Sequence, residues 1–125
     1  MALLAFGCNN DGDAPPRGTL YFPNAVALSG ADADGKSHFL FVANNNVDLR
    51  YSRGSLQAFS LDRIEAAIKR CAGRSNCVIE PTDEGVLEDQ VLISSLATSV
   101  AVSTEVSADG IPIGSEVTRE LLVSL

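Results

Sequence analysis

The side chains that most often perform chemistry in proteins are few in this sequence. Its 125 residues include one histidine, three cysteines and no tryptophan. Cys71 and Cys77 enclose five residues that can fold back as a turn, since glycine, serine and asparagine are among them. A disulfide across this loop is sterically reasonable, and two free thiols in a reducing compartment are the alternative. We predict the disulfide and no metal site, because two cysteines and one distant histidine do not supply four ligands.

His38 is the single histidine, and it stands at the start of an apolar stretch. The sequence contains no Gly-x-Ser-x-Gly motif, no cysteine beside a plausible base and no glycine-rich phosphate loop. We therefore predict no catalytic residue and no cofactor. His38 is interpreted as a polar residue at a strand edge.

Two polar motifs have the composition of ligand-binding loops. Asp32-Ala-Asp-Gly35 matches part of a calcium loop, but the third loop aspartate and the closing glutamate are missing. Asn44, Asn45 and Asn46 could bind a polar ligand at the end of a strand, although asparagine also suits turns because it tolerates left-handed backbone. We favour turns at both places and predict no metal.

Composition indicates a chain with a packed core that does not bind nucleic acid. Hydrophobic residues make up 46% of the sequence and charged residues 20%, which is unlike a disordered chain. Nine lysines and arginines stand against 16 aspartates and glutamates, so the net charge is −7 at pH 7. Such a chain repels phosphate backbones. No apolar run approaches the roughly 20 residues that cross a bilayer.

The first eight residues form an apolar run that ends at a cysteine, Met-Ala-Leu-Leu-Ala-Phe-Gly-Cys8. The polar composition directly after it predicts a flexible tether over 9–19. This junction resembles the lipobox of bacterial lipoproteins, with Gly7 before Cys8. Ala5 stands where that family usually has leucine, and no basic residue precedes the run. An ordinary apolar start with an incidental cysteine is the alternative.

The lipobox resemblance implies a lipid anchor on Cys8. Residues 1–8 would then be a truncated signal whose true start lies upstream, and Cys8 would be the odd cysteine beside the pair Cys71 and Cys77. The resemblance also implies a location in the bacterial cell envelope, at the outer membrane or its periplasmic face. That compartment is oxidising, which suits a disulfide.

Hydrophobic periodicity predicts a mainly β chain. Short apolar runs bounded by turn residues predict strands over 24–29, 38–43, 55–60, 90–94, 98–103 and 120–124. The longest gap between these strands has helical periodicity, which predicts one helix over Asp62–Arg70. Asp62 and Glu65 suit a capping box at its start, and Gly73 suits its end.

One pattern of strand residues occurs twice in the sequence. Residues 24–29, Asn-Ala-Val-Ala-Leu-Ser, align with residues 98–103, Thr-Ser-Val-Ala-Val-Ser. Val26 then lies opposite Val100, and each copy is followed by an Asp-Gly and another apolar strand. Repeated short strands of this kind predict a repeat architecture.

This pattern resembles the YVTN-type β-propeller repeat, in which an inner strand of small and apolar residues pairs with a Tyr/Phe-Val-Thr/Ala-Asn strand. Phe41-Val-Ala-Asn44 carries that motif, and the stretch over 46–62 is similar to the first blade of propeller lipoproteins of the bacterial envelope. The resemblance covers 20–62 well and 90–125 weakly. It implies a mainly β fold, with one propeller-like blade over 20–97 that carries a short inserted helix and the cysteine loop, and the first strands of a second blade over 98–125.

Propellers close with about four to eight blades, so the resemblance implies an N-terminal fragment of a longer protein. The expected function is a binding or scaffold module, held at the membrane by its lipid anchor, for a protein, peptide or glycan. Two alternatives stay open. One is a propeller hydrolase or lactonase with metal-held carboxylates in further blades, and the other is a small independent β-domain with a disulfide.

Overall fold

The computed structural model of this chain describes residues 12–102 and 121–124. Cys8, the predicted signal over 1–8 and residues 9–11 of the predicted tether lie outside the described residues. Residues 103–120 and residue 125 of the predicted second blade lie outside them as well.

Four strands form one antiparallel sheet in the order in which they follow along the chain. They are β1 (Pro23–Leu28), β2 (Phe39–Asn44), β3 (Gly54–Ser60) and β4 (Leu87–Ile93), and the helix α1 (Leu61–Cys71) lies between the third and the fourth. Two further strands, β5 (Ser99–Val102) and β6 (Leu121–Ser124), pair as a second antiparallel sheet. The predicted mainly β fold is confirmed: the first sheet is blade-like, a short helix is inserted, and a second sheet begins.

The strand boundaries follow the local sequence closely. β1, β2 and β3 begin within one residue of their predicted starts, because apolar runs with turn residues on both sides define them. β4 begins three residues before the predicted start, at Leu87. Its first residues include Glu88 and Asp89, whose polarity does not predict a strand. The strand forms there because this stretch pairs with β3.

The internal repeat recurs in the pairing of the strands. Val26 of β1 pairs with Val42 of β2, and Val100 of β5 pairs with Val123 of β6. Val26 and Val100 are also the residues that align in the sequence. The two copies therefore share a strand register as well as a pattern of residue types.

α1 begins one residue before the predicted helix and ends one residue after it. Its N-cap is Ser60, whose hydroxyl accepts a hydrogen bond from the backbone N–H of Arg63 at 3.3 Å. The prediction of Asp62 as the cap was wrong, because Asp62 lies inside the first turn, where its charge favours the positive end of the helix dipole. Gly73, with φ of +83°, follows the last turn as predicted.

The first sheet has an apolar cluster on each face. On the face that we call the β5 face, Ala43 and Leu56 pack with Ala97 and Val100. On the opposite face, which we call the open face, a second cluster consists of Val42, Phe59 and Val86. Successive residues of a strand point to opposite faces, so Val42 and Ala43 belong to different clusters.

Every residue of β3 except Ala58 is buried, and the strand carries a polar side chain in its centre. Gln57 is fully buried on the open face. Its amide nitrogen donates to the carbonyl of Thr19 at 3.1 Å and to Oε1 of Gln90 at 2.8 Å. Gln57 alternates with Leu56 and Ala58, which suggests a solvent-facing residue, but the N-terminal segment covers it.

Residues 13–19 lie against the sheet, whereas composition predicts a flexible tether there. The backbone N–H of Gly18 donates to Oε1 of Gln90 at 3.0 Å. The backbone N–H of Ser52 donates to the carbonyl of Asp13 at 3.0 Å. A segment without apolar periodicity can still be ordered in this way, because its main-chain groups find side-chain and main-chain partners on the sheet.

Candidate functional site

His38, which stands directly before β2, is held between two carboxylates from different elements. Its Nε2 lies 2.7 Å from Oδ2 of Asp32 in the β1–β2 loop, and its Nδ1 lies 2.9 Å from Oδ2 of Asp62 in the first turn of α1. The other oxygen of Asp32 accepts hydrogen bonds from the N–H groups of Asp34 and Lys36, each at 2.9 Å. The turn therefore orients the carboxylate that meets the imidazole.

The carboxylates favour the charged form of the imidazole. A neutral imidazole has one N–H, so only the imidazolium donates to both carboxylates at once. Hydrogen bonds to Asp62 and Asp32 raise the pKa of His38 above its ordinary value of 6.5. Hydrogen bonds from Lys36 and His38 lower the pKa of Asp62 to about 2. Hydrogen bonds from the backbone of Lys36 and from the side chain of His38 also lower the pKa of Asp32.

This cluster ties the β1–β2 loop to the start of α1. Lys36 extends it by pairing with Asp62 and, at 3.8 Å, with Glu65. The hydroxyl of Ser29 accepts hydrogen bonds from the backbone N–H groups of His38 and Phe39. Across the described residues, no three His, Cys, Asp or Glu side chains are placed to hold a metal ion.

Cys71 and Cys77 lie at disulfide distance, as their spacing predicts. The Cα atoms are 5.6 Å apart, and the two sulfurs are bonded. The bridge joins the end of α1 to the segment that leads to Ile79 and Val86, which pack on the open face. The disulfide therefore links the helix to the segment that covers the core on the open face.

The two polar motifs form turns. In the first, the N–H of Asp32 donates to the carbonyl of Lys36 at 2.9 Å, and Gly35 has φ of +77°. In the second, Asn46 is fully buried, and its Oδ1 accepts a hydrogen bond from the N–H of Tyr51 at 2.9 Å. Both motifs use their side chains to close a loop, which agrees with the interpretation as turns.

The surface that sequence reasoning missed is the part of the open face formed by β1. Val26 is 64% exposed and Leu28 is 56% exposed. Their partners in β2, Val42 and Leu40, line an adjoining apolar groove of about 220 Å³. The remaining lining residues come from the N-terminal segment, β3, α1 and the loop before β4: Leu20, Phe59, Ile64, Ile79, Pro81 and Val86. Two branched side chains on the edge strand β1 are therefore left without a cover by the residues that the structure describes.

The repeat shows what kind of surface fits there. Val100 of β5 occupies the position of Val26, and it is buried against the β5 face, beside Ala25 and Ala27 of β1. Ala101 occupies the position of Ala27, and it is exposed on the other side of β5. Each copy thus has a branched face and a small-residue face. The branched face of the second copy covers the small-residue face of the first.

The alternation of small and branched residues in residues 25–28 is the sequence signal for these two faces. It does not reveal which face is covered, since both are apolar.

No protein-family model, no curated protein and no solved structure matches this chain. In the part of the chain that the structure describes, no helix combines the length and the apolar character needed to cross a membrane.

Proposed function

We propose that this chain is part of a propeller-like binding or scaffold module built from stacked blades, and that Cys8 anchors it to the membrane of a bacterial envelope. One observation carries the proposal. The branched face of β5 covers the small-residue face of β1, while the branched face of β1, with Val26 and Leu28, stays exposed. The same contact can therefore repeat with a further sheet of the same kind.

The contact is directional, because unlike faces meet. A branched face joined to a small-residue face is a heterologous interface, which closes into a ring or continues as a chain of units. A propeller uses this geometry within one polypeptide. The shared register of the two copies supports the proposal, since equivalent side chains then occupy equivalent positions.

The open face exposes apolar side chains whose burial favours association. Complete burial of one Val or Leu side chain contributes about 1.5–3 kcal/mol. Val26 and Leu28 both keep more than half of their surface exposed, and the adjoining groove is lined by apolar residues. The partner of this face is a sheet with small residues such as Ala101, supplied by further blades or by a second copy of the chain.

Self-association of the 125-residue chain tests this function. We expect sedimentation velocity to show species that grow with concentration, because unlike faces can add without limit. Val26→Asp should weaken the association about tenfold or more, since a carboxylate would have to be buried at the contact. The free energy of unfolding of this variant should fall by no more than about 1 kcal/mol, because Val26 is exposed but aspartate is unfavourable in a strand.

Val78→Asp is the matched control, because Val78 is 71% exposed and lies outside the sheet. It should leave the association unchanged. A chain that stays monomeric at all concentrations and unfolds cooperatively would contradict the proposal and favour an independent disulfide-bonded domain. Equal weakening by the two variants would contradict it as well.

A further inference from the structure

One end of the first sheet collects exposed apolar side chains. Three segments meet there, since the N–H of Asn45 donates to the carbonyl of Phe22 at 3.0 Å and the N–H of Asn46 donates to the carbonyl of Ser95 at 2.8 Å. We call this end the tip, and define it as residues 21–22, 45–53 and 94–96. Its large apolar side chains are between 50% and 68% exposed: Phe22, Val47, Leu49 and Leu96.

Two of these side chains stand on strained backbone. Phe22 has φ of +46° and Leu49 has φ of +52°, and they are the two non-glycine residues with positive φ among the described residues. This conformation costs an L-residue about 1–2 kcal/mol, and glycine or asparagine adopts it with less strain. Burial does not explain the two residues, since both are exposed. Strain that packing does not require is typical of functional surfaces.

The charge of the tip differs from the charge of the chain. Arg50 and Arg53 are exposed there beside a single acidic residue, Asp48, whereas the whole chain has a net charge of −7. The guanidinium of Arg50 lies 5.8 Å from the centre of the Tyr51 ring. Exposed apolar residues with arginine and tyrosine beside them are typical of surfaces that enter a lipid interface.

The first described residues, Gly12 and Asp13, lie at the same end of the sheet. Asp13 accepts a hydrogen bond from the N–H of Ser52 in the tip, and a Cβ on Gly12 would lie 3.2 Å from that same nitrogen. Cys8 is four residues before Gly12. Four extended residues span at most about 14 Å, so an acyl chain on Cys8 would start close to the tip.

We infer that the tip docks on an anionic lipid bilayer, with Phe22, Val47, Leu49 and Leu96 in the interface and Arg50 and Arg53 at the lipid phosphates. The inference deepens the proposed function, because it rests on the lipid anchor that the function includes. The apolar side chains provide the contact area, and the arginines provide the preference for anionic lipid. A chain anchored in this way would stand with the opposite end of the sheet, where His38 lies between Asp32 and Asp62, away from the membrane.

The test uses the full chain with Cys8→Ser, which cannot be acylated. It should sediment with phosphatidylcholine vesicles that contain phosphatidylglycerol, and it should bind more weakly to pure phosphatidylcholine or in high salt. The double substitution Phe22→Asn and Leu49→Asn should reduce binding about tenfold or more. The melting temperature should stay equal or rise, because asparagine tolerates positive φ.

The comparison between variants is the readout, because Leu3, Leu4 and Phe6 can themselves add lipid affinity. Val78→Asn removes an apolar side chain that is 71% exposed and lies outside the tip, so it should leave binding unchanged. If the asparagine variant unfolds instead, the pair Arg50→Gln and Arg53→Gln should still abolish the preference for anionic vesicles.

Equal vesicle binding by the tip variant and the Val78→Asn control would overturn the inference. Absence of vesicle binding by the parent chain would overturn it too. So would a tip variant that loses self-association but still binds vesicles. Mass spectrometry of the N-terminal peptide from native membranes separates the two proposals. An acylated Cys8 with no vesicle binding would leave the proposed function standing and remove the role of the tip.

Discussion

At the scale of single residues, His38 shows how much its neighbours determine. Asp32 comes from a turn six residues earlier in the chain, and Asp62 comes from a helix 24 residues later. Each ring nitrogen faces one carboxylate, so the charged imidazole is the form that satisfies both. A histidine that composition suggests as a plain strand-edge residue is in fact the centre of a link between a loop and a helix.

The titration of His38 by NMR tests this link. Its pKa should lie above 6.5 in the native chain. Asp62→Asn should lower the pKa, and Asp32→Asn should lower it by a smaller amount, because the hydrogen bond to Asp62 is the larger cause. Asp34→Asn, in the same turn but without contact to the ring, should leave the titration unchanged. A pKa of His38 that is equal in all four proteins would disprove the link.

The pH dependence of stability follows from the same groups. The pKa of His38 is raised on folding, so its contribution is complete below about pH 6.5 and is lost as the pH rises through the folded value. The pKa of Asp62 is lowered from 3.8 to about 2, so its contribution is complete above pH 3.8 and is lost as the pH falls toward 2. The two contributions are therefore both present between about pH 4 and pH 6.5.

At the scale of elements, the start of β3 depends on close backbone contact. A Cβ at Gly54 would lie 2.6 Å from the carbonyl oxygen of Ser94 and 2.7 Å from that of Asn44. Both atoms belong to neighbouring strands or their ends, so neither can move without disturbing the pairing. Glycine is required here by space and not by a left-handed conformation.

Gly54→Ala should destabilise the chain by about 2 kcal/mol, because overpacking against backbone forces the strands apart. Urea unfolding measures the change. Gly35→Ala is the control, since a Cβ there meets nothing within 4 Å and only the φ of +77° is strained. It should cost about 1 kcal/mol. A larger loss for Gly35→Ala than for Gly54→Ala would contradict the steric argument.

A second prediction at this scale concerns the disulfide between Cys71 and Cys77, which links α1 to the segment that packs on the open face. Replacing Cys71 and Cys77 by serine should lower the free energy of unfolding by about 2 kcal/mol, because the closed loop is short. Reduction of the native chain should have a similar effect and should add nothing to the serine variant. Equal stability of the oxidised and reduced native chain would show that the bridge does not support the fold.

At the scale of the whole molecule, two properties differ between opposite sides: the faces that can stack, and the composition of the two ends of the sheet. The branched face of the second copy covers the small-residue face of the first, and Val26 and Leu28 of the first copy are left exposed. The apolar tip with its arginines lies at one end of the sheet, and the cluster of Asp32 and Asp62 lies at the other. The first property underlies the proposed scaffold, and the second underlies the proposed docking on a membrane.

The sequence by itself determined the elements. β2 was predictable because aromatic and β-branched residues with turn residues on both sides favour a strand wherever they occur. The repeat was predictable because Val26 and Val100 stand in matching contexts. The helix was predictable from its spacing, although its cap was assigned two residues too late. These signals are local, because they depend on residues a few positions apart. A single sequence is therefore enough to show them.

Only the tertiary structure decided which polar residues are buried and which apolar residues are exposed. Gly18 and Gln90 are 72 residues apart and share a hydrogen bond, and Gln57 is buried because that same segment covers it. Phe22 and Leu49 look like core residues, yet the chain places both at an exposed tip. The physical reason is that burial depends on contacts between distant segments, whereas the propensities that sequence patterns record act over a few neighbouring residues.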